Sequence, residues 1–564
     1  MRFLLIIIIF FFQQASAQET KFLIRFTDKN NSHYDLANPT AFLSEKSLHR
    51  REKQNIVLDS SDLPVTPAYS DSIATQPSLH ILNRSKWLNQ LLVSVTDTSV
   101  LQKVRSFPFV LSAAPVNNYH QKKIKEKITI NKLEAFSSRS TAEKTNVSTG
   151  ILSPYQYGSS YNQIHIHHGE FLHDKGYHGE TMTIALLDDG FNQYLTNPAF
   201  EKLRNENRIL GTYDFVNGKI SVNEEQVHGS NCFSIIAANI PTVMIGSAPG
   251  ASYWLFKTED DLSETPVEEQ NWAAAAEFAD SVGVDIISTS LGYAYFDNPA
   301  YDLDYAERNG HTSLVSLAAN RAVAKGIIVT ASMGNSGNDI GEKIYVGCPA
   351  DGDSVYAVGA VKPNGQIATF SSWGPNSSGQ VKPDGVSIGS GTALVGTDGN
   401  LYFGDGTSYS NPNLAGLIAC LWQAFPEFSC HDILRAVREA SDQYQRPDGR
   451  YGFGLPDFEK AYQSLTEKKL GITGQLTNSE WLKAIPVPFN NKLDIFFNPS
   501  VTGTASLQLL DLSGRLIQSE TITVSEGQPQ YFEMQISTHL ATGAYFIRYV
   551  DAGRSKTIKV LKAD

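Results

Sequence analysis

Between residues 155 and 465, short apolar runs alternate with stretches of helical period, and no other feature of the chain limits the fold so tightly. The runs at 183–187, 253–256, 285–288, 327–330 and 355–361 are too short for helices and carry few polar positions. A strand wetted on one face would alternate polar and apolar residues; these do not, so both faces are covered, as in a mostly parallel sheet. Segments 271–281, 313–325, 407–425 and 432–440 read as its helices. The expected class is therefore α/β, with one large parallel-sheet domain at 155–465.

The flanks read differently. Arg2, the apolar run 3–12 and Ala15-Ser16-Ala17 have the form of a secretory leader, 1–17, cut before Gln18. The run is too short for a bilayer span of about 20 residues. Residues 18–120 read as a small α/β domain, with extended runs at 21–26, 91–95 and 109–116 and a helix opening at Asn38-Pro39. Residues 121–154 form a polar linker without apolar period, a natural place for proteolytic cutting. After Thr466 the helices are expected to stop, giving a linker at 466–484 and a small β-sandwich at 485–564, with alternating stretches at 506–512 and 545–550.

The chain carries 46 Lys and Arg against 58 Asp and Glu. This acidic excess repels phosphate backbones, so no nucleic-acid partner is expected. Cys232, Cys348, Cys420 and Cys430 allow three pairings into two disulfides, or buried thiols, and none forms a CxxC. His165, His167, His168, His173 and His178 lack acidic or cysteine partners at ligand spacing, so a solvated N-terminal face is expected rather than a metal site. Asp398 and Asp405 form no readable calcium loop.

Four weak signals fall at strand ends or helix starts of the central domain. Ser408, after Gly406-Thr407, opens a helical pattern, where unpaired backbone N–H groups can receive an oxyanion; alone, it equally reads as a helix cap. Asp188 ends the run 183–187 before Gly190, where a parallel sheet places functional residues. His228, in Val227-His228-Gly229-Ser230, precedes a buried helical stretch at 232–238. Asn335, in Gly334-Asn335-Ser336-Gly337, can donate an amide to an oxyanion or simply make a turn.

Together, in the order Asp, His, Asn, Ser, these motifs resemble those of the subtilisin-like serine peptidases. Their Asp-Ser/Thr-Gly motif is matched by Asp188-Asp189-Gly190, with Asp189 where a hydroxyl is usual, and their His-Gly-Thr by His228-Gly229-Ser230. Gly334-Asn335 and Gly406-Thr407-Ser408 match without change, while Tyr409-Ser410-Asn411-Pro412-Asn413 keeps only the proline. The resemblance implies a serine endopeptidase in which Asp188, His228 and Ser408 form a triad and Asn335 donates to the oxyanion. Ser290-Leu291-Gly292 resembles the segment that pairs with substrate and lines the first specificity pocket, and 370–375 a loop that shapes the site. It implies protein or peptide substrates and no required cofactor; structural calcium, common in relatives, is not placed.

Residues 18–120 resemble the inhibitory prodomains of this family, making the domain an intramolecular partner of the site. The tail resembles the sorting domain of the type IX secretion system, through Phe497-Asn498-Pro499, residues 510–515, the stretch around Gly543 and residues 559–562. That implies export through the periplasm and outer membrane, followed by release or surface attachment. An exported binding protein with an inactive peptidase fold is the alternative; an ester hydrolase is disfavoured because no Gly-x-Ser-x-Gly surrounds Ser408.

Overall fold

The computed structural model describes residues 20–116, 155–260, 262–476, 480–527, 529–537 and 540–563. The leader and the polar linker lie outside the described residues.

In the N-terminal domain the strands β1 (Thr20–Phe26), β2 (Leu79–Ser85), β3 (Gln90–Val95) and β4 (Val110–Pro115) form an antiparallel sheet in the order β2-β3-β1-β4. Helices α2 (Pro67–Ala74) and α3 (Val100–Ser106) contribute Tyr69, Ile73, Leu101 and Val104 to its core with Ile24 and Val93. The expected helix at Asn38-Pro39 is corrected: Pro39–Ala41 makes one 3-10 turn. The helix proper, α1 (Glu45–Lys53), starts at Ser44, whose side chain accepts from the Ser47 N–H, a stronger start signal than Asn38, which makes no such bond.

The central sheet has seven parallel strands. In chain order they are β5 (Thr183–Asp188), β6 (Ile209–Asp214), β7 (Ser252–Lys257), β8 (Ile286–Thr289), β9 (Ile328–Ser332), β10 (Tyr356–Val361) and β11 (Gly385–Ile388). Their spatial order is β11-β10-β9-β8-β5-β7-β6, so β5 and β8 lie side by side. Every residue of β5, β8, β9 and β10 is buried, which is why those segments lack alternation. A hairpin, β12 (Ser390–Val395) with β13 (Leu401–Asp405), follows.

Two helix pairs pack on the sheet: α4 (His228–Ala237) against α7 (Thr407–Ala424), and α5 (Pro266–Val282) against α6 (Leu314–Ala324). Pro266 and a Thr265/Glu268 capping box start α5, and Gly283 at φ +87° ends it, the left-handed turn that glycine makes without strain. Helices α8 (Cys430–Glu439) and α9 (Phe458–Gln475) complete the layer. The expected linker from 466 is corrected, because α9 continues to Gln475 and packs Phe458, Ala461 and Leu465 into the central core.

The strands of the C-terminal domain pair antiparallel, and a single parallel bridge joins Phe489 to Lys562 among the described residues. Strands β14 (Leu482–Ile485), β15 (Lys492–Phe497), β16 (Gly503–Leu510), β17 (Leu516–Val524), β18 (Gln530–Gln535), β19 (Gly543–Val550) and β20 (Ser555–Lys562) form two sheets, β14-β15-β18 and β17-β16-β19-β20. Their inner residues, among them Leu493, Leu507, Ile547 and Val560, form a core of their own.

All four cysteines are buried free thiols, which settles that alternative against disulfides. The histidine cluster is also corrected, since His167 and His173 are fully buried rather than solvated. His167 bonds the Pro456 carbonyl and Ser387 Oγ at 2.9 and 2.8 Å; His173 bonds Tyr157 Oη and the Ser247 carbonyl at 2.8 and 3.1 Å. His165, His168 and His178 pair with Glu170, Asp457 and Glu180.

Candidate active site

Asp188 is the last residue of β5 and His228 the first of α4. His228 Nδ1 lies 2.6 Å from Asp188 Oδ1, and Asp188, 2 % exposed, also accepts from the Asp189 N–H at 2.9 Å. Asp189 fills a role that its motif position did not reveal. Its Oδ1 accepts from the Gly229 N–H at 2.9 Å, at the positive end of α4, and so holds the helix that carries His228. Gly229 allows this approach, because a Cβ there would lie 2.3 Å from the Gly190 carbonyl oxygen. Ser230 Oγ donates to the Asn192 carbonyl at 2.7 Å, fixing the same turn to the loop after β5.

Ser408 is the second residue of α7. Its Oγ donates to the Ser290 carbonyl at 3.2 Å, and Ser290 Oγ donates back to the Ser408 carbonyl at 2.8 Å. That carbonyl is available because its helical partner four residues on, Pro412, has no N–H. Cys232, one turn beyond His228, also uses it, with Sγ 3.4 Å from the Ser408 carbonyl oxygen and 3.9 Å from His228 Nε2. Cys232 therefore bridges the histidine-bearing and serine-bearing helices. No sequence signal marked it beyond spacing of i and i+4 on one helix.

Asn335 follows β9 in the loop after Gly334. Its side-chain oxygen accepts from both Thr407 N and Thr407 Oγ1 at 2.9 Å, and Thr407 Oγ1 accepts from the Gly334 N–H at 3.1 Å. With the oxygen engaged twice by Thr407, the amide NH2 is turned away from it. Ser372, in the segment 370–375, accepts from the Ser336 N–H at 3.1 Å and donates its own N–H to the Gly334 carbonyl at 2.9 Å, bracing the same loop.

Ser290, Leu291 and Gly292 continue directly from β8. Ser290 and Leu291 are buried, and Gly292 faces open space, with no atom outside its chain neighbours within 4 Å of where its Cβ would be. The next residue, Tyr293, is fully buried and exchanges backbone hydrogen bonds with Cys348 at 2.8 and 3.0 Å, fixing the segment that leaves β8. Tyr293 Oη donates to Glu259; Glu259, Glu264 and Glu268 bring ligand atoms within 4.8 Å of one another. Asp398 accepts from Asn400 and Tyr402, and Asp405 Oδ1 from the Gly391 N–H, all within the β12–β13 hairpin.

The chain is thus an α/β protein whose parallel sheet brings Asp188 and His228 together at a strand end and a helix start, with Ser408 in the first turn of a second helix. Comparison with known proteins narrows the class. Residues 179–454 match the subtilase family, 21–136 the Peptidase S8 propeptide domain of Bacteroidota, and 483–563 the secretion system C-terminal sorting domain. The chain is similar to subtilisin E of Bacillus subtilis, at 32% identity over 52% of this chain and 68% of that one. It is similar to subtilisin DY of Bacillus licheniformis at 30% identity over 51% and 93%. Among solved structures it is similar to MycP1 with its N-terminal propeptide removed, at 20% identity and a TM-score of 0.43 over 54% of this chain and 96% of that one. The chain belongs to the subtilase family of serine endopeptidases, with a family propeptide domain before the peptidase and a secretion sorting domain after it. Among the described residues no helix is long and apolar enough to cross a membrane.

Proposed function

We propose that the chain is an exported endopeptidase that cuts proteins through Asp188, His228 and Ser408, with Asn335 in the oxyanion hole. The observation that carries this reading is the 2.6 Å contact of His228 Nδ1 with Asp188, on a helix bridged by Cys232 to the helix that carries Ser408 in its first turn. A proton on Nδ1, donated to Asp188, leaves Nε2 as the base. Ser408 Oγ turns about its side-chain bond from the Ser290 carbonyl to Nε2, loses its proton there and attacks the scissile carbonyl. His228 then delivers that proton to the leaving amine, and water repeats the cycle on the acyl-enzyme. The oxyanion is held by the Asn335 NH2 and the Ser408 backbone N–H. Ser290, Leu291 and Gly292 pair with the substrate backbone and line the first pocket. Residues 18–120 act as the intramolecular inhibitor after loss of the leader, and the C-terminal domain hands the chain to a type IX machinery for passage through the outer membrane. No step calls for a cofactor.

Ser408→Ala tests the reading: casein hydrolysis by the processed protein should fall by about 10⁶-fold, and labelling by a fluorophosphonate should vanish. Hydrolysis that survived this change would refute the triad. Absence of both hydrolysis and labelling in the unmodified processed protein would favour an inactive binding protein.

A further inference from the structure

Residues 27–65, between β1 and α2, contribute no strand to the antiparallel sheet of the N-terminal domain and carry α1; both ends of the segment are tied to that domain, through Thr27, Asp28 and Val65. They lie against the end of the peptidase sheet opposite the active site. Lys46 Nζ bonds Thr183 Oγ1 at 2.5 Å and Asp285 Oδ2 at 2.7 Å, at the first residue of β5 and just before β8. Asp188 is five residues further along β5, roughly 16 Å away at strand rise.

Here α1 closes on the ends of three helices. Arg50 donates to the carbonyls of Val284 at 2.5 Å and Lys325 at 3.2 Å, and Gln54 Nε2 to that of Gly326 at 2.8 Å. These carbonyls follow the negative ends of α5 and α6, where cations and donors are favoured. Gln54 Oε1 accepts from the Cys430 N–H at 2.9 Å, at the positive end of α8. Charges interlock across the same surface. Asp280 of α5 takes Arg50 at 2.6 Å, Arg51 at 2.8 Å and Lys86 at 2.9 Å; Lys325 gives to Asp62 at 2.9 Å, and Arg51 meets Asp62 at 2.8 Å. Asp280 and Asp62 have no exposed side-chain surface. Gly283 and Gly326, both at φ +87°, admit the close approach: a Cβ would lie 2.7 Å from Lys46 Cβ and 2.6 Å from Gln54 Nε2 respectively.

We infer that residues 27–65 are a second docking surface of the N-terminal domain, built for the base of the peptidase sheet, which holds the domain in place whether or not the cleft is occupied. The inference rests on the reading of residues 18–120 as a separable inhibitory domain, and not on the triad. A surface that served only to block the cleft would have no use for buried ion pairs at the opposite edge of the sheet. Burial makes the pairs costly to break singly, since each loss strands a charge without a partner.

The test uses the full chain carrying Ser408→Ala and a recognition sequence for a site-specific protease between residues 121 and 150. After nicking, both pieces should co-elute in size exclusion through serial dilution, and molar salt should change the dissociation constant by less than about threefold, because buried pairs are poorly screened. Arg50→Ala with Arg51→Ala should raise that constant at least about 100-fold. Gln54→Ala, a milder change, should raise it about tenfold through loss of the bonds to Gly326 and Cys430. Separation of the unmodified nicked pieces on dilution, or affinities within about twofold for the variants that fold, would overturn the inference, the threshold lying below one lost hydrogen bond. If the double variant fails to fold, Gln54→Ala decides alone. Fragments beyond the engineered nick would instead report residual activity, a failure of the triad reading and not of this one.

Discussion

Asp189 shows how a departure from a family motif can be read only in three dimensions. The hydrogen bond it accepts comes from Gly229, 40 residues on, and nothing in the local sequence discloses that partner. Asp189→Ala should cost about 1 kcal/mol of stability, as for a lost helix cap, and lower kcat about tenfold by loosening His228; Asp189→Ser should recover most of both. Thermal melts and casein kinetics check the two effects. Asn335→Ala should depress kcat by 10²–10³-fold and leave KM within about twofold, since its amide is asked to act only on the developing oxyanion. Buried imidazoles supply a prediction in pH. Burial pushes His167 and His173 down to about 4 from an ordinary 6.5. Between those values the unfolded chain binds protons that the folded chain refuses, so stability present above 6.5 is lost as pH falls toward 4, on the order of 3 kcal/mol per ring. Melts of the Ser408→Ala protein across that window should show the loss, and His173→Gln should flatten it. Motif order is what singles out Asp188, His228, Asn335 and Ser408 as candidates, and the structure pairs His228 with Asp188 and Asn335 with Thr407. The roles of Cys232, Thr407 and Ser372 were not legible in that order, because each acts through a contact distant in sequence.

At the level of elements, α7 carries a conflict that the site exploits. Pro412 interrupts its hydrogen-bond ladder and thereby leaves the Ser408 carbonyl for Ser290 and Cys232. Pro412→Ala would supply the missing N–H, so the helix should gain stability while the nucleophile loses its brace: the melting temperature unchanged or higher, kcat about tenfold lower. A parallel fall in both would count against this account. The peptidase strands were legible because covering both faces leaves unbroken apolar runs. Strands β6 and β11 escaped notice; β6 has only Asp214 buried, and β11 is just Gly385–Ile388. The end of α9 was misread for a related reason. Phe458, Ala461 and Leu465 form one narrow buried stripe, and beyond them come three charged residues, Glu467-Lys468-Lys469, and then Gly471 and Gly474, so the apolar period fades before the helix does.

On the scale of the whole molecule, each domain has a main core, but the N-terminal and peptidase domains share apolar contacts: Trp87 joins the peptidase core, and Leu92 and Val116 pack with Val267 of α5, while the C-terminal core is made of its own residues. Contacts from the C-terminal domain to the rest are sparse and polar or cation–aromatic, such as the Thr523 N–H to Asn55 and Lys468 over Tyr531. A chain ending at residue 476 should therefore keep its casein activity within about twofold and lose one calorimetric transition, whereas coupled domains would lose activity together. Shifts in periodicity suggest a three-part division, but nothing in the sequence discloses the basal contact of α1, since its partners lie more than 200 residues away. The free thiols gain a use from that contact. Cys430 is 1 % exposed, its thiol pushed up to about 12 by burial, and its amide N–H is held by Gln54. An alkylating reagent should pass over it in the intact chain, and mass analysis after nicking and separation reads whether lifting the N-terminal domain, and with it the Gln54 contact, bares a thiol that the peptidase core otherwise holds.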